Sequence, residues 1–243
     1  MTLETNKQHG FTLVEMAIVL VIFGLVISAL LLPLQAQRQL ASLAQTNATL
    51  INANQALLGF AQRNGRLPCP ATNKGTATFP DDTGTSNPNA SGPCDQLVGF
   101  LPATTLGIQP ADAQGFAIDA WNNRIRYAVT TANANAFTTN NAMNTLGLAA
   151  LTPDLRICAT STPVNCTGLI NLTSEAVAVV YSTGASFQQG SGGADENANL
   201  NNDAIFVSHD GRENDLNGEF DHIFTWISPY VLYNAMIQAG QLH

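Results

Sequence analysis

Charge is scarce in this chain. Only 11% of its 243 residues are charged, with nine Lys and Arg against seventeen Asp and Glu and a formal net charge of −8. A nucleic-acid surface needs clustered cations, and the few here are scattered, which excludes direct nucleic-acid binding. There is no G-x-S-x-G elbow, no H-E-x-x-H helix and no phosphate-cradling glycine loop, so the common hydrolase, zinc-protease and nucleotide sites have no basis. His209 and Asp210 stand side by side next to Ser208, and read as a surface loop rather than a catalytic pair. Cysteine is limited to four residues, with neither the Cys-x-x-Cys nor the Cys/His spacing of a zinc site.

What the chain has in excess is hydrocarbon at one end. From Phe11 to Leu34 the run is almost unbroken, and Glu15 is its only ionisable side chain. At a rise of about 1.5 Å per residue such a run reaches roughly 36 Å as a helix, enough for the roughly 30 Å apolar core of a bilayer. A secretory signal peptide carries its small-residue cleavage site after the apolar region. Here the small residue, Gly10, comes before it, behind a polar head with one cation, Lys7. Cutting at Gly10 keeps the helix in the mature protein. It also places a new amine at Phe11, one helical turn from Glu15 and within reach of a neighbour in a bundle. The carboxylate needs such a partner, because unpaired at apolar depth it costs several kcal/mol.

Gly10-Phe11-Thr12-Leu13-Val14-Glu15 followed by an apolar run resembles the processing and assembly signature of the type IV pilin and type II secretion pseudopilin superfamily. The resemblance implies that a prepilin peptidase cuts between Gly10 and Phe11 and N-methylates the Phe11 amine. It further implies that Glu15 pairs with the Phe11 amine of an adjacent pilin or pseudopilin subunit during filament assembly. The location it implies is the inner membrane, as a single-pass protein, before assembly, and a cell-surface or periplasmic filament afterwards. A large, loop-rich head argues for a minor subunit over a major one. The rival reading is a membrane-tethered ectodomain with binding or enzymatic activity, but a plain tether needs neither Gly10 nor Glu15.

The expected organisation is a leader at 1–10, a transmembrane and assembly helix at 11–34, an amphipathic continuation at 35–65 and a globular head at 66–243. Beyond Pro33, Leu43 and Ala44, Leu50 and Ile51, and Leu57 and Leu58 recur every seven residues as one apolar stripe on a continuing helix, which Gly65 and Pro68 end. Gly24 and Pro33 predict a kink or local melting. The fold class is α+β: a long N-terminal helix, membrane-spanning in its first half, packed on a small antiparallel sheet with long disulfide-pinned loops. Residues 66–110 read as a turn-rich loop. Phe116 to Val129 reads as a hairpin about Asn122-Asn123, and 130–145 as a surface excursion with little hydrophobic drive. Strands are expected at Ala176–Tyr181, Ala204–Ser208 and Phe220–Ile227, with a closing helix from Tyr230 to Ala239.

Four cysteines allow three connectivities, and their order favours two local bridges, Cys69 with Cys94 and Cys158 with Cys166. The acidic region after residue 190 offers oxygen ligands at alternate positions. Asp195, Asn197, Asn199, Asp203 and Asp210 are the candidate set for calcium, in a stretch whose only Lys or Arg is Arg212. The EF-hand pattern of Gly at the sixth and Glu at the twelfth position is missing, so a solvated acidic loop is the alternative reading.

Overall fold

The computed structural model describes residues 12–72, 83–88, 90–161, 171–187, 192–215 and 218–243, with backbone alone at 29–34 and 212–215. The chain divides into two compact units, Met1–Leu43 and Ala44–His243.

Helix α1 (Leu13–Asn64) supplies the regular structure of the first unit and the opening of the second. The local melting expected at Gly24 and Pro33 is absent, and the helix runs through both. One missing N–H at Pro33 removes one bond of the ladder, and the intact turns on either side hold the segment. In the second unit α1 buries Thr46, Thr49, Leu50, Ala53, Leu57 and Ala61, a three-and-four spacing that marks one face. Ile51, paired with Leu50 in the expected stripe, is 56% exposed. A strict seven-residue repeat drifts around a 3.6-residue helix, so only part of the doublet pattern meets the core.

A four-stranded antiparallel sheet forms the middle layer of the second unit. Its strands are β1 (Val98–Phe100), β2 (Arg126–Val129), β5 (Ala178–Ser182) and β9 (Ile223–Ile227), in the order β1-β2-β5-β9. Every residue of β5 is buried, because both faces of the sheet are covered. On one face Tyr127, Val129, Val180 and Ile227 join the core of Leu50, Leu57 and helix α6 (Pro229–Gln238). On the other, Ala128, Val179 and Tyr181 pack on Leu155, Ile157 and Phe206. Those residues belong to a second sheet of β3 (Leu155–Cys158), β4 (Asn171–Ala176) and β6 (Ile205–Val207), in which β3 pairs antiparallel with β4 and parallel with β6. The α+β expectation holds, with this one parallel pair added. Short helices α2 (Ala103–Leu106), α3 (Ala132–Asn135), α4 (Ala142–Leu146) and α5 (Ala194–Ala198) and the ribbon β7 (Arg212–Asp215) with β8 (Gly218–Phe220) fill the connections. Helix α6 starts on Ser228, whose Oγ accepts from the Val231 N–H at 3.4 Å, with Pro229 in the first turn.

Further expectations are corrected. The 66–110 segment is not loop throughout, since it contributes β1 and α2. The 116–129 hairpin reduces to one isolated bridge, Ile118 with Arg124. Asp119 Oδ1 accepts from the Trp121 and Asn123 N–H groups, both at 2.8 Å, and Asn122 turns left-handed at φ 64°. The chain thereby closes a tight loop and frees β2 to pair with β1 and β5. The 130–145 segment is no surface excursion, since Ala136, Phe137 and Met143 are core residues. Two large apolar side chains suffice to anchor a segment that is otherwise Ala, Asn and Thr. The 220–227 strand is split, with Asp221 and His222 standing between β8 and β9.

Cys69 and Cys94 form a disulfide with their Cα atoms 5.3 Å apart, across a separation of 25 residues. Cys158 is also disulfide-bonded. Its expected partner, Cys166, lies outside the described residues, and that pairing is a proposal. Loop closure of this length is worth about 3.5 kcal/mol. The double variant Cys69→Ser/Cys94→Ser is therefore expected to unfold at clearly lower denaturant, and a non-reducing peptide map to link Cys158 with Cys166. An unshifted unfolding midpoint, or a free Cys166 thiol, would count against the respective bridge.

Candidate functional site

The N-terminal segment begins with a reciprocal pair. Thr12 Oγ1 accepts from the Glu15 N–H at 3.2 Å, while Glu15 Oε2 accepts from the Thr12 N–H at 2.9 Å and from the Thr12 hydroxyl at 3.0 Å. This is a capping box, and Thr-x-x-Glu was readable from the sequence alone. It satisfies two of the donors that a helix start leaves open, and it fixes the Glu15 carboxylate beside the first turn. Gly10 and Phe11 lie outside the described residues. Leu13, Val14, Leu20, Val21, Phe23 and Leu25 are each more than 60% exposed. An apolar surface on this scale calls for lipid or another apolar face to cover it. Among the described residues no helix is long and apolar enough to cross a membrane. The expected span at 11–34 also takes in Phe11 and the side chains of 29–34, which are outside that set.

The acidic region is more ordered than a loop, because Asp195, Glu196 and Asn197 sit on α5. Four of the five candidate ligands are engaged locally. Asp195 Oδ1 accepts from the Ser161 N–H at 2.6 Å, and the Asn197 amide reaches the Gly192 carbonyl at 3.4 Å. The Asn199 side chain accepts from the Val207 N–H at 2.7 Å and donates to the Val207 carbonyl at 3.0 Å. Asp203 Oδ1 accepts from the Ile205 N–H at 2.8 Å. Asp210 is exposed. His209, beside it, donates from Nδ1 to the Asp210 carbonyl at 2.8 Å and faces Asp195 Oδ2 through Nε2 at 3.3 Å.

One group of three acid and imidazole side chains, Glu196, Asp221 and His222, also converges, with ligand atoms within 4.8 Å of one another. Glu196 and Asp221 belong to the acidic stretch, but their meeting across 25 residues left no signal in the spacing. Glu196 Oε1 accepts from the Asp221 N–H at 2.7 Å, and Asp221 Oδ2 accepts from the Ser186 N–H at 2.7 Å. Asp221 Oδ1 is buried with no hydrogen-bond partner. Burial, then the neighbouring Asp221 and Glu219 charges, pushes Glu196 up to about 7. Burial holds His222 down to about 4. The Asn199 orientation, set by its two bonds to Val207, makes His222 Nδ1 the acceptor of the Asn199 amide at 3.1 Å, so the neutral ring carries its proton on Nε2. His222 thus has no spare lone pair for a metal in this arrangement, and the chemistry of the pocket rests on the two carboxylates.

A family model described as the prokaryotic N-terminal methylation motif matches residues 5–31. No curated protein and no solved structure matches the chain. The motif takes in Gly10, Phe11 and Glu15, and with it the chain carries the N-terminal hallmark of the type IV pilin and pseudopilin superfamily.

Proposed function

We propose that the chain is a filament subunit, a minor pilin or pseudopilin of a type IV pilus-like or type II secretion fibre. It is cut after Gly10 and methylated at Phe11. Residues 11–34 hold it in the inner membrane, and Glu15 then engages the Phe11 amine of a neighbouring subunit. The observation that carries this reading is the methylation motif at residues 5–31. The exposed apolar surface of the same helix supports it, since subunits packed side by side would cover it. Partners are the prepilin peptidase and other pilin-type subunits. The exposed Glu15 carboxylate contacts only its own helix start among the described residues, so its removal spares the head. Glu15→Ala is expected to leave the chain inserted and the head folded while incorporation into sheared fibres drops at least about tenfold, as loss of a desolvated charge pair does. Equal incorporation of variant and parent would overturn the assembly role.

A calcium ion in the acidic segment is a second element of the proposal. It is supported by the buried, unpartnered Asp221 Oδ1 next to Glu196. Calcium favours hard oxygens, and binding the folded state alone at a hundredfold excess over Kd adds about 2.7 kcal/mol. Thermal unfolding in calcium against chelator should then differ by about 5–10 °C. Coincident melts would remove the ion from the account.

A further inference from the structure

A hollow of about 540 Å³ lies beside the turn Leu148–Ala150, β3, β4 and the first turns of α6. That volume is inside the roughly 300–1,000 Å³ range of small-molecule sites. It shares no residue with the N-terminal segment or the acidic region. Tyr230 and Tyr233, three residues apart on α6, lie on one face of that helix and both line the hollow. Tyr230 is 76% exposed, a flat aromatic surface standing in water. Tyr233 is the opposite case, because its hydroxyl is buried and has no hydrogen-bond partner. Burial, with the Glu175 charge adding to it, pushes this phenol up to about 12, so it keeps its proton at neutral pH. Ser174, Glu175 and Arg156 bring further polar groups from the two neighbouring strands, and Leu151 and Pro229 an apolar floor.

We propose that this hollow binds a neutral carbohydrate, with one sugar ring lying on Tyr230 and its hydroxyls meeting Ser174 and Glu175. A sugar ring has an apolar C–H face and a rim of hydroxyls that both donate and accept. The hollow has the matching parts: an aromatic plane, a hydroxyl, a carboxylate acceptor and a guanidinium. Other ligand classes fit less well. A polyanion meets the carboxylates of Glu175 and Asp154 against the single cation of Arg156, and a cation meets Arg156. A purely apolar ligand would bury the Glu175 carboxylate without a partner. Asp154 is a positioning residue, held by the Thr130 hydroxyl at 2.5 Å.

The test uses the full chain in a zwitterionic detergent free of sugar headgroups, titrated with cellobiose, lactose, chitobiose and mannobiose and followed by saturation-transfer NMR. At least one disaccharide is expected to saturate with a Kd of about 1 mM or tighter. Tyr230→Ala should weaken it at least about tenfold with an unchanged Tm, because the ring is exposed. The proposal falls if none of the four sugars saturates below about 20 mM. It falls equally if saturation survives Tyr230→Ala unchanged, or if a polyproline peptide occupies the hollow and the sugars do not.

Discussion

Gly10→Leu is expected to leave an uncut precursor of 243 residues in the membrane, where the parent chain is shortened by ten to 233. On the proposed reading the leader ends on a small residue directly before a retained apolar helix, so cleavage would depend on a short side chain at that position. On the same reading the insertion signal lies downstream of Gly10, and the Thr12–Glu15 box closes without Gly10. Membrane insertion and head folding are therefore untouched, and the loss is confined to processing, where it is near complete. N-terminal mass analysis of membrane fractions reads the result directly. A normally trimmed product from the variant would dismiss Gly10 as the processing site.

The second large effect is expected at Gly184, in the turn after β5. Its φ is +67°, and an added Cβ would stand 2.1 Å from Asp221 Oδ1 and 2.5 Å from the Asp221 carbonyl oxygen. Asp221 cannot step aside, since its N–H is bonded to Glu196 and its Oδ2 to the Ser186 N–H. The Gly184 carbonyl is pinned in turn by the Asn123 amide at 2.5 Å. The left-handed backbone alone costs about 1–2 kcal/mol for a residue with a Cβ. With the collision added, Gly184→Ala should lose about 3 kcal/mol or more, a fall in Tm of about 6–12 °C. Gly107→Ala is the control, with nearly the same φ, +68°, and open space around the new Cβ. It should lose only the backbone share. Equal losses in the two variants would show that the Asp221 contact has no part in stability.

What could be read without coordinates was what depends on neighbours in sequence. The apolar run, the strand at 204–208 and the closing helix are local patterns, and they stand as β6 and α6 within a residue or two. The Thr12–Glu15 box is equally local, a Thr-x-x-Glu spacing at the start of the apolar run. The hairpin at 116–129 failed for a physical reason. Turn residues and alternation were present, but the Asp119 carboxylate satisfied the backbone donors of the loop, and β5 offered β2 a fully buried partner. The acidic stretch shows the limit most clearly. Alternate oxygen-bearing positions pointed to Asp195, Asn197 and Asn199, whereas a helix spreads alternate residues around its axis, and α5 with its C-cap Asn199 spends each of these side chains on a different neighbour. The pair that meets, Glu196 with Asp221, is joined by a separation that no spacing rule reaches.

The core that α1 shares with α6 also dictates when the head can form. Leu50, Ala53, Leu57 and Ala61 are buried in the same cluster as Leu232, Met236 and Leu242. The Asn54 amide bonds Thr225 across 171 residues, and the Gln62 amide bonds the Ala235 carbonyl across 173. Closing a loop of that length costs about 4–5 kcal/mol of chain entropy before any contact repays it. Contacts of such long range place the head among slow folders. During synthesis the helix comes first and its apolar face waits bare until the last turn of the chain has been delivered. Losing a few C-terminal residues therefore strips a side of the core formed by the first helix, and early termination leaves a sticky fragment in place of a shortened head.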